Sequence, residues 1–399
     1  MQYELLTTED QLHELCRRLA DASIVALDTE FVSEYSYRPE LCLVQVAVDG
    51  KLAAIDPRMV GDLTPLWSQL AAEGTETVVH AGREEFWFCL QAIGQRPRLW
   101  WDVQIAAGMV GMGYPSSYAK LVAGLLGQSL PKGETRTDWR RRPLSRRQLE
   151  YAMYDVVHLV PMRDELRRRL DRLGRLDWFE REMTAWQDNV ERSRGAQRWR
   201  RISGASRLSS RSLAIVRELW LWREDEAMRR NCPVRRVLRD DLIVELARRG
   251  TADHKRIHAV RGLQRGDLQN KIPQMSRAIA SGLQVPDAEC PEMFRGGPPS
   301  QVQAMAQFLA AALTSICRSR NIAPGLVGSV QDVRELVAYH LRLETSDDNK
   351  VPALACGWRA EIVGQQIEQL LAGKLAIRIT DPMSDEPLSI GPTDQRRSV

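Results

Sequence analysis

The sequence predicts an α/β domain, built on a mixed sheet flanked by helices, followed by two smaller all-α modules. Its 399 residues exceed one ordinary core, because domains typically hold about 100–200 residues. Strand and helix patterns alternate up to residue 175, whereas only helix patterns follow residue 207. We predict an α/β domain at 1–175, a basic linker at 176–206, a first helical module at 207–287, a second helical module at 298–378 and a disordered tail at 379–399.

The α/β domain is predicted to open with one helix and three strands. Glu9–Ala20 repeats apolar side chains at helical spacing, and Ser23–Leu27 is an apolar run of strand length. Leu41–Val48 and Lys51–Ile55 are two further strands. The dipeptide Asp49-Gly50 between them favours a two-residue hairpin turn.

Strand and helix then alternate along the chain. Thr77–Val79 predicts a short strand, and Glu84–Ile93 predicts a helix. Asp102 is placed to cap the next helix, and Ser145–Leu173 predicts a long one. An early hairpin followed by such alternation favours a mixed sheet that is covered by helices.

The region after residue 180 changes character. Residues 180–210 are rich in Arg, Ser, Gln and Trp without a clear period, which indicates a linker or a fraying helix. Helix patterns resume in the first helical module and again over 300–375 in the second. The tail is rich in Pro, Ser and Gly, so we expect it to be disordered. The helix patterns of the first helical module cover Leu213–Asn231, Arg239–Arg248 and Leu268–Gly282.

Composition narrows the class of protein. Hydrophobic residues make up 44% and charged residues 27%, as in soluble globular proteins. The net charge of +4 says little, but arginines crowd into residues 136–211, and guanidinium groups suit phosphate. Seven scattered cysteines without a C-x-x-C pair favour a reducing compartment over a disulfide framework or a zinc site. Without a visible signal peptide or apolar span, we expect a cytoplasmic protein with no membrane contact.

Three carboxylates and a phenol form the candidate site. Asp28 and Glu30 end an apolar strand, and alternate residues of a strand share one face. Tyr151 and Asp155 stand four residues apart in a predicted helix, so they also share a face. Ligands that are all oxygen suit magnesium or manganese rather than zinc. Two such ions about 4 Å apart activate a water and stabilise the leaving oxygen of a phosphodiester, so the sequence predicts a metal-dependent nuclease.

At this point the chain resembles a known family. Over residues 1–175 it is similar to ribonuclease D of the DEDD exonuclease superfamily, tyrosine subtype, because several motifs occur in order at near-colinear spacing. The two helical modules resemble HRDC domains, the second mainly by its position. The motifs are Asp28-Thr-Glu-Phe31, His80-Ala-Gly, Asp102-Val-Gln, Arg136-Thr-Asp-Trp139, Arg142-Pro143-Leu144 and Tyr151-x-x-x-Asp155.

The resemblance implies a ribonuclease H-like α/β fold and removal of single nucleotides from RNA 3′ ends. Transfer RNA precursors or other structured RNAs would be the substrates. Two divalent ions, Mg²⁺ or Mn²⁺, would be held by Asp28, Glu30, Glu85 and Asp155. Tyr151 would orient the attacking water, because a neutral phenol is a good hydrogen-bond partner. We expect a monomer that needs no obligate protein partner.

One position departs from the family. The second motif normally reads His-Ala-Gly-x-x-Asp, and this chain has Glu85 in place of the aspartate. Glutamate keeps the charge but lengthens the arm by one methylene, roughly 1.5 Å. Because magnesium demands a near-ideal octahedron, the change could weaken the second ion, shift the preference to manganese, or leave an RNA binder with little catalysis. A 3′-5′ DNA exonuclease is a further alternative, since the fold alone does not fix the polymer.

Four more residues are candidates for contact with nucleic acid. Phe31 and Gln45 are predicted to line the nucleotide pocket, because both lie near the carboxylate strand. Arg136 and Arg142 are predicted to contact phosphate. His80 is interpreted as a hydrogen-bonded buried residue rather than a metal ligand.

Overall fold

The computed structural model describes residues 1–131, 137–193, 198–264, 266–293, 299–343, 351–384 and 386–393. The chain forms two compact units. One consists of residues 1–29, 43–186 and 296–399, and the other of residues 30–42 and 187–295. The predicted fold class, an α/β domain followed by helical modules, is confirmed.

A six-stranded mixed sheet forms the centre of the α/β domain. Its strand order is β1-β4-β3-β2-β5-β6, which places β2 in the middle. β2 runs parallel to β5, and β5 parallel to β6, whereas β3 and β4 are antiparallel. The strands are β1 (Glu4–Leu6), β2 (Ile24–Val32), β3 (Glu40–Val48), β4 (Lys51–Ile55), β5 (Glu76–Val79) and β6 (Leu99–Asp102).

The predicted hairpin is confirmed. Val48 pairs with Lys51, so Asp49 and Gly50 alone make the turn. Both adopt positive φ, at 48° and 73°, as a type I′ turn requires. Glycine reaches this conformation without the steric cost that a Cβ would add.

In the described part of the domain, nine helices accompany the sheet. The predicted long helix over Ser145–Leu173 is wrong in one respect, because it is two helices that meet at His158. Its first part is capped by Ser145, whose hydroxyl accepts the Gln148 N–H at 3.2 Å. The helices are α1 (Glu9–Ala20), α2 (Pro57–Val60), α3 (Thr64–Ala71), α4 (Arg83–Ile93), α5 (Val103–Met109), α6 (Tyr118–Leu126), α7 (Arg146–Val157), α8 (Leu159–Arg172) and α9 (Leu176–Ser193).

Helix α9 corrects the predicted linker at 176–206. Its apolar face buries Phe179, Met183 and Val190, so most of that segment belongs to a core. Trp186 meets the ring of Phe86 edge to face, with 5.5 Å between ring centroids. The sequence analysis missed this helix because the segment as a whole is polar. Its aromatic and apolar residues nevertheless recur at helical spacing.

The described residues of the first helical module form six helices, and the module lies in the second compact unit. Its core is formed chiefly by α10, α12 and α15, with buried side chains such as Leu213, Ile243 and Ile279. Short 3₁₀ turns at Arg198–Arg201 and Ala205–Arg207 lead into it. The helices are α10 (Ser210–Arg229), α11 (Val234–Val237), α12 (Asp240–Arg249), α13 (His254–His258), α14 (Gly266–Gln269) and α15 (Ile272–Gln284).

The second helical module ends in a short hairpin. Strands β7 (Leu375–Ile379) and β8 (Leu388–Pro392) pair antiparallel, so the prediction of a disordered tail from residue 379 is wrong for β8. Pro and Ser in the connection obscured two runs of β-forming residues. A π-helical turn at Ala360–Gly364 lies between two of its helices. These helices are α16 (Ser300–Ser319), α17 (Pro324–Val327), α18 (Val330–His340), α19 (Gly357–Arg359) and α20 (Gln365–Leu371).

The second helical module shares one compact unit with the α/β domain, and buried polar contacts join them. The buried Arg175 guanidinium donates to the carbonyls of Met109 at 2.6 Å and Asn321 at 2.8 Å. Arg359 forms a two-pronged ion pair with Glu182, at 2.6 and 2.8 Å. These contacts make the module a structural part of the nuclease unit. In the described part of the chain, no helix combines the length and apolar character of a membrane span.

Candidate active site

The middle strand of the sheet carries the first two carboxylates. Asp28 and Glu30 occupy alternate positions of β2, so they share one face of the strand. Thr29 lies between them and points to the other face, where it is 6% exposed. Apolar neighbours Val25, Ala26 and Leu27 are fully buried and anchor the strand, which holds the carboxylates on rigid backbone.

Helix α7 carries the third carboxylate and the phenol. Leu149, Ala152 and Met153 bury one face of the helix, which leaves Tyr151 and Asp155 half-buried. Burial raises the pKa of Asp155 to about 7, because a carboxylate loses solvation there.

Tyr118 links the strand to the helix. Its hydroxyl donates to the backbone carbonyl of Tyr154 at 2.8 Å. Burial raises the pKa of the Tyr118 phenol, and the carboxylates of Asp155 and Asp28 raise it further. Two carboxylates that are 127 positions apart in the chain therefore both influence the pKa of this phenol. The sequence analysis missed Tyr118, whose only local signal is its place at the start of a helix capped by Ser117.

Glu85 is placed differently from the other carboxylates. It lies in the first turn of α4 and is 5% exposed. Its Oε1 accepts a hydrogen bond from the Thr29 hydroxyl at 2.5 Å. Burial raises the pKa of Glu85 to about 7, although the Thr29 bond opposes the rise. Because Thr29 alternates with Asp28 and Glu30, this bond engages Glu85 on the other face of β2.

The His80-Ala-Gly motif sets the start of α4. The buried Asp102 carboxylate accepts the N–H groups of Ala81 at 3.1 Å and Gly82 at 3.2 Å. It also accepts from Gln104 at 2.8 Å, which confirms that it caps α5. A Cβ on Gly82 would lie 2.4 Å from a methyl of Val79, so only glycine fits.

His80 is hydrogen-bonded within the protein, as predicted. Its Nε2 lies 2.9 Å from the carbonyl of Ser116. Its ring meets Tyr118 edge to face, with centroids 5.5 Å apart. His80 therefore supports the wall of the site that Tyr118 forms.

Arg142 holds the loop that precedes α7. Its guanidinium binds both carboxylate oxygens of Asp56, at 2.5 and 2.8 Å, and also donates to the carbonyl of Trp139 at 2.8 Å. The Trp139 ring lies 6.4 Å from that of Tyr151. The geometry thus lets Arg142 hold the loop next to Tyr151, and its predicted phosphate contact stays a prediction.

The other predicted nucleotide contacts have different outcomes. Gln45 is completely buried on β3, so the prediction that it lines an open pocket is wrong. Among the described residues its amide finds no hydrogen-bond partner. Phe31 is partly exposed on β2, next to Glu30. Arg136 lies outside the described residues.

The donor chemistry of the site suits a hard divalent ion. Asp28, Glu30 and Asp155 offer only oxygen, and an ion can take the place of the proton that burial favours on Asp155. Within the described ranges, no three His, Cys, Asp or Glu side chains are grouped so that they could hold an ion as they stand.

Comparison with known families agrees with the fold. The 3′-5′ exonuclease family matches residues 3–171, and the HRDC domain family matches residues 212–279. The first match spans all six strands of the mixed sheet and the residues of the candidate site. The fold and the site thus define a 3′-5′ exonuclease with a helical extension.

Individual relatives extend the match over nearly the whole chain. The ribonuclease D of Acidiphilium cryptum is 37% identical over 382 residues, which cover 94% of each chain. That of Granulibacter bethesdensis is 34% identical, again over 94% of each chain. The crystal structure of Escherichia coli RNase D, an exoribonuclease involved in structured RNA processing, superimposes with a TM-score of 0.81 at 28% identity. That superposition covers 93% of this chain and 99% of the other.

This chain belongs to the ribonuclease D family and is a 3′-5′ exoribonuclease. Members of its exonuclease superfamily depend on divalent metal ions. The RNA reading is thereby favoured over the DNA alternative.

Proposed function

We propose that the chain shortens structured RNA from its 3′ end by a two-metal hydrolysis at Asp28, Glu30, Glu85 and Asp155. The observation that carries the proposal is the placement of Asp28 and Glu30 on one face of β2 and of Tyr151 and Asp155 one turn apart on α7. The influence of both Asp28 and Asp155 on the pKa of Tyr118 supports it. Bound at these carboxylates, two divalent ions, Mg²⁺ or Mn²⁺, would activate the attacking water and stabilise the leaving oxygen.

The side chains have separate tasks in this scheme. Asp28, Glu30 and Asp155 would hold the divalent ions. The positive charge of these ions would stabilise the negative charge of the phosphodiester during hydrolysis. Tyr151 lies one helical turn from Asp155 and orients the attacking water through its hydroxyl. Trp139 and Arg142 fix the position of Tyr151 through the loop before α7.

Glu85 must give up the Thr29 hydrogen bond before it can serve the site. A hydrogen bond to a charged group contributes about 1.5–3 kcal/mol, so this change has a cost. We propose that the cost weakens the second ion and favours manganese, which tolerates looser geometry than magnesium.

Transfer RNA precursors or other structured RNAs are the proposed substrates, since the E. coli relative processes structured RNA. We also propose that the protein is a monomer and acts in the cytoplasm. Phe31 is proposed to contact the terminal nucleotide from its place beside Glu30.

A direct assay tests this function. Purified protein is incubated with 5′-labelled single-stranded RNA or DNA, with either Mg²⁺ or Mn²⁺, and products are resolved at single-nucleotide resolution. We expect a ladder from the RNA that shortens from the 3′ end, and no cleavage of a circular RNA. Equal rates on DNA would support the DNA alternative, and binding without cleavage under either ion would support an RNA-binding relative.

A further inference from the structure

The loop that follows the carboxylate strand is held by the first helical module. This loop covers residues 33–39 and lies in the same compact unit as α10. The Tyr37 hydroxyl donates to Glu224 at 2.9 Å, and the Tyr37 N–H donates to the side chain of Asn231 at 3.2 Å. The loop therefore has a defined position on the helical module.

Tyr35 stands in this loop with its side chain turned outward. It is 50% exposed, and the guanidinium of Arg236 lies 5.9 Å from its ring centroid. Aromatic rings near arginine are the components on which single-stranded nucleic acids stack their bases.

A basic pocket adjoins Arg236. It has a volume of about 350 Å³, an apolar floor that includes Leu238 and Leu242, and a rim of three exposed arginines, Arg235, Arg236 and Arg239. Among the described residues, neither Arg235 nor Arg236 takes part in a salt bridge. Two guanidinium groups of the rim therefore keep their charge available for phosphate.

The other side of the loop is also basic. Burial and the Glu224 carboxylate raise the pKa of Tyr37, and the nearby Arg198 and Arg38 oppose that rise. Both arginines are exposed. Arg198 and Arg38 thus add positive charge beside Tyr37.

We propose that one surface of this unit binds single-stranded RNA upstream of the nucleotide being removed. This surface, called the Tyr35 surface, consists of Tyr35, Arg235, Arg236 and Arg239. The proposal rests on the proposed function, which requires a single strand to reach Asp28 and Glu30. Tyr35 follows Glu30 by five residues, which span at most about 17 Å of chain. An RNA whose 3′ end lies at the carboxylates can therefore reach the ring within a few nucleotides.

Binding is measured first, without divalent ions, so that no RNA is cleaved. The probe is a fluorescent single-stranded RNA of about twelve nucleotides, within the range of about 4–16 that such surfaces cover. Tyr35→Ala should weaken binding at least about fivefold, whereas Tyr35→Phe keeps the ring and should bind like the wild type. Arg277→Ala, an exposed arginine of α15 outside the pocket, is the matched control.

Salt dependence separates the two kinds of contact. The double variant Arg235→Ala, Arg236→Ala should reduce the slope of log K against log salt by roughly 0.7 for each phosphate contact that is lost. Tyr35→Ala should leave this slope unchanged, because stacking releases no counterions. If both variants bind RNA with the affinity and the salt slope of the wild type, the proposal is overturned. The Tyr35 surface would then be a solvated face or a surface that binds protein.

Hydrolysis then distinguishes this proposal from the proposed function. With Mn²⁺ and a limiting concentration of RNA, Tyr35→Ala should slow hydrolysis of the twelve-nucleotide RNA. It should not slow hydrolysis of a trinucleotide, which is too short to reach the Tyr35 surface. If the wild type and Tyr35→Ala hydrolyse both RNAs equally, the function stands and the Tyr35 surface is refuted. If neither RNA is hydrolysed while the binding differences persist, the Tyr35 surface is supported and the exonuclease assignment fails.

Discussion

The hydroxyl of Thr29 donates a hydrogen bond of 2.5 Å to the carboxyl group of Glu85, and both side chains are buried. Thr29 alternates with the two carboxylates of β2, so the bond draws Glu85 away from their face. An aspartate at position 85 would have an arm shorter by one methylene and would not reach as far toward Thr29. The departure from the family motif therefore has a specific structural consequence.

Glu85→Asp should raise the rate supported by magnesium and narrow the advantage of manganese. The shorter carboxylate is released from Thr29, and magnesium demands the tighter geometry. Rates with each ion, measured on the same RNA, check this prediction. Glu84→Asp makes the same chemical change one residue earlier and should alter neither rate. An inactive wild type that Glu85→Asp fails to rescue with either ion would favour RNA binding without cleavage.

Asp28→Asn and Asp155→Asn should each lower the exonuclease rate about 100-fold or more, because each removes a charge that holds an ion. Neither change removes core volume, so melting temperature and RNA affinity should stay close to those of the wild type. Asp171→Asn, at an exposed position in the last turn of α8, is the matched control and should keep full activity. Near-wild-type rates in either site variant would mean that the catalytic site lies elsewhere.

Tyr151→Phe should lower kcat roughly 10- to 100-fold while the ion concentration for half-maximal activity stays the same. Only the hydroxyl that orients water is lost, and the ring remains against Trp139. Titration of Mn²⁺ at saturating RNA separates the two quantities. Tyr339→Phe, on an exposed side chain of α18, should have no effect. If the Tyr151→Phe variant has the kcat of the wild type, the hydroxyl has no catalytic role and Tyr151 contributes only by packing.

Local chemistry made much of the fold predictable. Asp49-Gly50 fixed the hairpin through its turn, and Asp102 was placed at a helix start by its capping side chain. The orientation of Glu85 was not predictable, because it depends on Thr29, a residue 56 positions away. Gln45 lies near the site in sequence, yet the sheet buries it completely. Packing between residues that are distant in sequence determines the burial and orientation of such side chains. A short sequence motif contains no information about that packing.

Arg359→Ala should destabilise the nuclease unit by roughly 2–3 kcal/mol, even though Arg359 lies in the second helical module. The change leaves the mostly buried Glu182 carboxylate without its two-pronged partner. Denaturant unfolding measures the difference. Arg17→Ala breaks an exposed pair with Glu14 and should cost less than about 1 kcal/mol. An Arg359→Ala protein as stable as the Arg17→Ala control would show that the Arg359–Glu182 ion pair contributes little to the stability of the nuclease unit.

Two buried cysteines can report whether the second helical module opens together with the α/β domain. Burial raises the pKa of Cys89, on α4, and of Cys317, on α16, to about 12 in each case. The reactive form of a cysteine is the thiolate, so at pH 8 both side chains are almost fully protonated and inert in the folded chain. Alkylation then requires an opening that returns the thiol to its ordinary pKa of about 8.5.

Because the two thiols start from matched protection, a difference in their labelling rates reflects a difference in opening. We expect Cys89 and Cys317 to be alkylated at similar rates, since Arg175 and Arg359 tie the second helical module to the α/β domain. Both rates should rise several-fold from pH 7 to pH 8, as the thiolate fraction of the opened state grows. Mass spectrometry resolves the two sites, and the exposed Cys356 serves as the fast-reacting control. Labelling of Cys317 many times faster than Cys89 in the wild type would mean that the second helical module opens on its own. In the Arg359→Ala variant, which lacks the ion pair with Glu182, we expect Cys317 to be labelled faster than Cys89.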